Sequence, residues 1–272
     1  VSRDNNGNLI ALNHRSADAR HESFLCFHIS RESRGERLDT IIYELTRVLS
    51  EVSAANTDDM AMGELALSLA HNLDSAHMPG DDETRSEAAA LCRWIAQENF
   101  TFLGAVRYEK SSDNDDLLSP KATSALGILR PRDGLDLIER LSVLPESTAA
   151  DLKDTDPVMI TKSSKRSLVH RPAYMDVLFV RHWNASGQLT GETCLVGLFS
   201  AGAYNRSVVD IPGSRQKLQH VLTRSGLPEQ GHGIKVLHNL IERYPRDDLF
   251  QITKNELYDT AMGMLELQER QR

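Results

Sequence analysis

The apolar positions in the first fifty residues change from a strand-like to a helical period. Residues 8–13 and 22–31 predict two β-strands, and the second has apolar side chains on both faces, which is typical of a central strand. The spacing that follows predicts a helix with one buried stripe, formed by Leu38, Ile41, Ile42, Leu45, Val48, Leu49 and Val52. This strand–strand–helix order is half of a small α+β sandwich.

Residues 57–98 have the pattern of two further helices. The first is predicted at Met60–Leu73, and a His-Met-Pro-Gly break at residues 77–80 separates it from the second. Thr84 and Glu87 have the spacing of a capping box at the start of the second helix. We expect this segment to be a helical spacer between two sheet domains.

A second sheet is predicted to begin near residue 99. The alternation of residues 100–109 is typical of a half-buried strand, and a short strand near 126–129 and a helix near 135–144 follow it. Asn184–Gly187 predicts a hairpin loop. That loop joins two of three closely spaced strands, at residues 158–162, 174–183 and 189–200. This order of elements resembles a PAS-like sensor fold.

The last segment is predicted to be helical. Pro212 fits the first turn of one helix, Gly226 ends it, and Thr253 with Glu256 caps a later one. The chain begins without methionine and stops inside that later helix, so we expect a fragment of a longer protein. The predicted fold class is α+β in four parts: a partial domain at 1–56, a helical spacer at 57–98, an antiparallel α+β domain at 99–203, and a helical segment at 204–272 that leads to a missing downstream domain.

The composition excludes several classes of protein. Of the 272 residues, 40% are hydrophobic and 26% are charged, which is typical of a globular chain and not of a disordered or membrane-spanning one. No apolar run approaches the roughly 18 residues of a membrane span, and the first ten residues lack the apolar core of a signal peptide. We therefore predict a cytoplasmic location without a membrane partner. The net charge of −8 argues against nucleic-acid binding, because phosphates require a basic face.

The sequence lacks the short motifs of common catalytic and cofactor sites. It has no glycine-rich dinucleotide turn after a strand, no P-loop, no H-E-x-x-H helix and no G-x-S-x-G elbow. His14, His21 and His28 share a spacing that has no geometric meaning across a strand and a loop. The acids at 113–116 lack the glycine and terminal glutamate of a calcium loop. We predict no catalytic, cofactor-binding or metal-binding residue in this chain.

One segment is unusual in an acidic protein. Residues 162–171 carry four cationic side chains, one histidine and three hydroxyls, with no acid among them. Such a cluster could bind a phosphate, a carboxylate metabolite or an acidic partner surface, and it could equally be a solvated hairpin or form salt bridges between domains. With two polar residues after the last strand, the candidate anion, effector or interface patch comprises Lys162, Lys165, Arg166, His170, Arg171, Asn205 and Arg206.

Four separated motifs in this sequence resemble those of one family. They are RWIAQENFTFLG at 93–104, VMITKSSKRSLVHRPAYMD at 158–176, GLFSAGAYNRS at 197–207 and ERYPRDDLFQI at 242–252. In this order they resemble the N-terminal region of the large bacterial NAD-specific glutamate dehydrogenases. Residues 1–81 match mainly by the strand–helix pattern of an ACT-like domain.

The resemblance implies a function for the segment. Members of that family oxidise L-glutamate to 2-oxoglutarate and ammonium with NAD⁺, in a catalytic domain far downstream, and their ACT-like and PAS-like region is associated with assembly and regulation. The resemblance therefore implies a non-catalytic regulatory and oligomerisation segment with no cofactor of its own, in a parent enzyme that uses NAD. Its implied partners are other copies, the downstream catalytic domain and an amino-acid effector. The alternative is a free-standing PAS-like sensor or adaptor with a helical output.

Overall fold

A computed structural model describes residues 1–4, 6–11, 22, 25–75, 78, 80–110, 118–132, 134–145 and 156–270. The chain divides into two compact units, Val1–Glu44 and Leu45–Arg272. The fold is mixed helix and antiparallel sheet, which confirms the predicted α+β class.

The first unit contains a small antiparallel ribbon. Strand β1 (Ser2–Arg3) pairs with β2 (Leu9–Ala11), which confirms the first predicted strand over those three residues. The strand predicted at 22–31 is wrong over residues 25–31, which have no strand in the structure. Alternating apolar residues form a strand only where a neighbour supplies its hydrogen bonds, and here Phe27 and Ile29 are exposed. The ACT-like assignment stays a prediction.

Helix α1 (Gly35–Ser75) joins two helices that the sequence pattern separated. The stripe at residues 38–52 and the helix predicted at Met60–Leu73 therefore belong to one continuous helix, which runs through residues 53–59. The Thr57 hydroxyl donates to the carbonyl oxygen of Ser53 within the helix, and Asp58 is buried against Arg130. The stripe predicted to be buried is also largely exposed, at Leu38, Ile42, Leu45 and Leu49. A helical period identifies an apolar face but not what covers it.

The second unit is built on one antiparallel sheet. Its strands are β3 (Phe100–Lys110), β4 (Leu118–Pro120), β5 (Leu126–Gly127), β6 (Val158–Arg166), β7 (Tyr174–Trp183) and β8 (Leu189–Phe199). The strand order is β4-β3-β8-β7-β6, with β5 also paired to β3. Strands β7 and β8 form the predicted hairpin, and β6 lies at an edge.

Each face of this sheet packs on a separate apolar core. One face carries Phe102, Leu178 and Leu195 against the second half of α1 and against α2 (Asp82–Trp94). The other face carries Phe179 and Val196 and is covered by residues around α3 (Leu137–Leu141). Because both faces are covered, the strands read as nearly continuous apolar runs.

The connection from α2 into the sheet departs from regular helix. Asp81, and not the predicted Thr84–Glu87 pair, caps α2, because its carboxylate accepts from the backbone N–H of Thr84. A π-helical turn at Ile95–Asn99 follows, in which Glu98 has a φ of 61°. The side chain of Asn99 donates to the carbonyl oxygens of Trp94 and Gln97 and so closes this turn.

The end of the chain forms a helical module with its own core. Its helices are α4 (Ala201–Asn205), α5 (Ser214–Arg224), α6 (His232–Glu242), α7 (Arg246–Gln251) and α8 (Lys254–Arg270). Val221, Leu237 and Leu257 are among its buried residues. None of the described helices is both long and apolar enough to cross a membrane. The four-part division of the chain stays a prediction.

Candidate functional site

The basic segment singled out in the sequence lies on edge strand β6 and in the loop between β6 and β7. Lys162 is on the strand, and Lys165 and Arg166 are at its exposed end. The loop is tightly wound, because the Ser167 hydroxyl donates to the carbonyl oxygen of Val169. The segment thus faces helices α4 and α7 of the helical module.

Lys162 is held between two carboxylates and is not a free cation. Its Nζ donates to Oδ1 of Asp176 at 2.7 Å and to Oδ1 of Asp247 at 2.7 Å. The second carboxylate oxygen of Asp176 accepts from the backbone N–H of Phe199, and Asp247 also accepts from the Tyr204 hydroxyl at 2.6 Å. These contacts connect β6, β7 and β8 with α4 and α7.

Burial and ion pairing compete for the protonation states in this Lys162 network. Burial raises the pKa of Asp176, although Lys162 opposes this. Burial alone would also raise the pKa of Asp247, but its hydrogen bonds from Lys162 and Tyr204 outweigh burial and lower it. Burial disfavours the charged form of Lys162, yet its two carboxylate partners raise its pKa. Burial and the hydrogen bond to Asp247 raise the pKa of Tyr204. We therefore treat Lys162 as a structural cation.

Two arginines of the segment are available for an anion. Arg171 donates to the carbonyl oxygen of Phe199 at 2.8 Å and lies over the ring of Tyr204. Arg166 lies over the ring of Tyr174 at 5.4 Å. Neither has a carboxylate partner among the residues the structure describes. Both guanidinium groups keep unused donors.

The remaining predicted residues do not converge on the same point. Lys165 and His170 are exposed, and His170 has a φ of 67°, which only a few non-glycine residues adopt. Asn205 is the exposed last residue of α4. The carbonyl oxygen of Arg206 accepts from Arg246. These four residues therefore lie at the edge of the patch and not at its centre.

An open cleft of about 700 Å³ lies beside Lys162, Arg166 and Arg171 of the patch. It is lined by Lys162, Arg166, Arg171, Tyr174, Tyr204 and Asp247, among others. Two guanidinium groups beside two aromatic rings can hold a carboxylate and cover an attached organic group. Among the described residues no cluster of His, Cys, Asp and Glu could hold a metal.

Sequence reasoning missed the partners of Lys162 but not the stretches that contain them. Asp176 lies in the second family-like motif, Tyr204 in the third and Asp247 in the fourth. The network therefore brings three separated motifs to one point. The presence of all three motifs in one sequence was the signal that could have indicated these partners.

The described sheet does not suit a dinucleotide. All its strand pairs are antiparallel, whereas a dinucleotide-binding turn belongs to a parallel βαβ unit.

Comparison with known proteins gives consistent matches. Residues 211–270 match the family model of glutamate dehydrogenase, helical motif 1. The chain is 34% identical over 258 residues to the NAD-specific glutamate dehydrogenase of Halomonas elongata, covering 92% of the chain and 16% of that relative. It is 32% identical to the one of Pseudomonas aeruginosa, covering 93% of the chain and 16% of the relative. The one of Mycobacterium tuberculosis is 26% identical over 82% of the chain.

Fold and matches together define a class of segment: an antiparallel α+β unit followed by the helical motif of glutamate dehydrogenases. More particularly, the resemblance to the NAD-specific glutamate dehydrogenases is confirmed, since the similarity extends over nearly the whole chain. The chain spans about one sixth of the length of the first two relatives.

Proposed function

We propose that this chain is a non-catalytic regulatory and assembly segment of a cytoplasmic NAD-dependent glutamate dehydrogenase. The whole enzyme would oxidise L-glutamate with NAD⁺ and water to 2-oxoglutarate, ammonium and NADH. Other copies and a downstream catalytic domain would be the partners of the segment. In this proposal residues 99–203 form a PAS-like domain and the start of the chain forms part of an ACT-like one.

The Lys162 network is the observation that carries this proposal. It joins the edge of the sheet to α7, which lies inside the matched helical motif. Asp176 is buried while Asp247 is half-exposed, so the network runs from the core to the surface. In this proposal the contact would couple the position of the helical module to the state of the sheet.

The cleft beside the network supplies a place for an effector. Arg166 and Arg171 offer donors to a carboxylate, and Tyr204 links Arg171 directly to Asp247. A small carboxylate, such as that of an amino acid, would change the electrostatic potential at the Lys162 network. It would shift the enzyme only by its difference in affinity between two arrangements of the helical module.

The test uses the full-length enzyme that carries this segment, with glutamate-dependent NADH formation as the readout. A panel of amino acids is titrated against the wild type, Arg171→Ala and the matched control Lys165→Ala, which removes the same charge outside the cleft. We expect an effector response that is weakened roughly tenfold by Arg171→Ala and kept by Lys165→Ala.

Two results would decide against parts of this proposal. Equal responses of both variants would remove the effector site from the cleft. Glutamate turnover by the 272-residue chain alone would show that the segment is catalytic.

A further inference from the structure

A second polar cluster lies on a face of the sheet that is otherwise apolar. Across β3, β8 and β7 the register aligns Ala105, Leu195 and Leu178 in one row of the first core. Two residues further along, Arg107 pairs with Thr193. One more step aligns Glu109, Gly191 and His182. The apolar face thus turns polar at one end of the sheet.

Polar groups on a core-facing surface cost stability unless they are paired or used. His182 is held in place by Thr193, since its Nε2 and the Thr193 Oγ1 are 2.8 Å apart. Burial lowers the pKa of His182 to about 4, so the ring is neutral at physiological pH. Gly191 beside it leaves no room for a side chain, because an added Cβ would clash with the carbonyl oxygen of Tyr108.

Above this polar end of the sheet lies a cleft of about 800 Å³. The end of α1 forms one wall with Leu69, Asn72 and Leu73, and Trp183 and the β7–β8 hairpin form another. The walls therefore present apolar groups such as Trp183 together with polar ones such as Asn72 and Asn184, above the polar floor. It is separate from the cleft at Arg171, with which it shares none of its described lining residues.

Three charged residues are among those that line this cleft: Arg107, Glu109 and the buried Arg181. Glu109 is already paired with the Nζ of Lys121 at 3.0 Å. The exposed side chain of Arg107 has no hydrogen-bond or ion-pair partner among the described residues. The Arg107 guanidinium is thus available for a ligand, next to the neutral imidazole of His182 and the indole of Trp183.

We propose that this cleft binds a small organic carboxylate with a flat apolar body, the carboxylate on Arg107 and the body against Trp183 at the end of α1. A guanidinium recognises a carboxylate through two parallel hydrogen bonds. Aromatic and aliphatic side chains cover the rest of such a ligand. The free ring nitrogen of His182 is a further hydrogen-bond partner and repels no cation, because the ring is uncharged.

The proposal is tested by calorimetric titration of the full-length protein with three probes. Benzoate has both the charge and the flat body, benzyl alcohol has only the body, and acetate has only the charge. We expect benzoate to bind at least roughly tenfold more tightly than either of the others. Arg107→Gln weakens benzoate roughly tenfold or more and leaves benzyl alcohol unchanged, whereas Trp183→Leu weakens both.

Two matched variants separate this site from others. Lys110→Gln removes a charge from the same strand outside the cleft, and it must keep benzoate affinity. Arg171→Ala alters only the other cleft and must also keep it. The proposal is overturned if benzoate does not bind at millimolar concentration, if Arg107→Gln binds it as the wild type does, or if only Arg171→Ala loses it. The last result would leave the function proposed above intact.

Discussion

Replacing Lys162 by methionine tests whether the network at the edge of the sheet is a charged one. Methionine keeps an unbranched side chain of nearly the same length and removes the cation that two carboxylates share. We expect a large loss of unfolding free energy at pH 7, because Asp176 is then a buried carboxylate whose one remaining donor in the described part of the chain is the Phe199 amide.

The magnitude follows from the exposure of the two partners. The side chain of Asp176 is 1% exposed, and breaking a buried ion pair on one side costs about 3–5 kcal/mol. The side chain of Asp247 is 51% exposed, and such a pair contributes about 1 kcal/mol or less. The matched control Asp247→Asn should therefore cost far less than Lys162→Met.

The pH dependence gives a second readout. Burial raises the pKa of Asp176 even with Lys162 present, and removing Lys162 must raise it further. A carboxyl group with a raised folded-state pKa favours folding most when it is protonated. The difference in unfolding free energy between wild type and Lys162→Met should therefore shrink as the pH falls from 7 through the pKa of Asp176.

Urea unfolding followed by circular dichroism at several pH values measures both effects. A deficit below about 1 kcal/mol at pH 7, or one that does not change with pH, would refute the charged-network account. Equal losses in Lys162→Met and Asp247→Asn would refute the assignment of Asp176 as the dominant partner.

Three further outcomes are expected. Asp58→Ala should lower the unfolding free energy in urea by about 2–3 kcal/mol, because it leaves the Gly127 N–H and the Arg130 guanidinium without their acceptor. Arg130 lowers the pKa of Asp58, so the difference in unfolding free energy between wild type and variant should disappear as the pH falls through that pKa. Burial lowers the pKa of Lys217 to about 8, so unfolding free energy should rise by up to about 3 kcal/mol between pH 8 and 10.5, and Lys217→Met should abolish this rise. Gly213→Ala should lower stability by about 1–2 kcal/mol in thermal unfolding, because the residue has a φ of 78° and an added Cβ meets no neighbour that could compensate.

Strand positions in the second unit could be predicted because their side chains are apolar and regularly placed. The predicted strand at 174–183 is β7 without change, and the one at 189–200 is β8 to within one residue. Strand β6 continues to Arg166, beyond the predicted Lys162. Its extension is polar, and polar residues on an edge strand leave no apolar alternation to detect.

The candidate site was predicted in part for a similar reason. Charge density indicated Lys162, Arg166 and Arg171, but it could not show that Lys162 is neutralised. Which side chains meet across strands depends on register, and Asp247 is 85 residues away along the chain. The polar cluster that includes Arg107 and His182 was missed because each residue alone fits an ordinary strand.

The pairing of β3 with β8 has a consequence for how the protein is made. Phe100 lies opposite Phe199, so one long side of β3 has no partner until the chain has been extended by nearly a hundred residues. At 5–20 residues per second, that delay is roughly 5–20 s on the ribosome. During this time an apolar strand is open to other chains, and partial products that end before β8 should therefore aggregate.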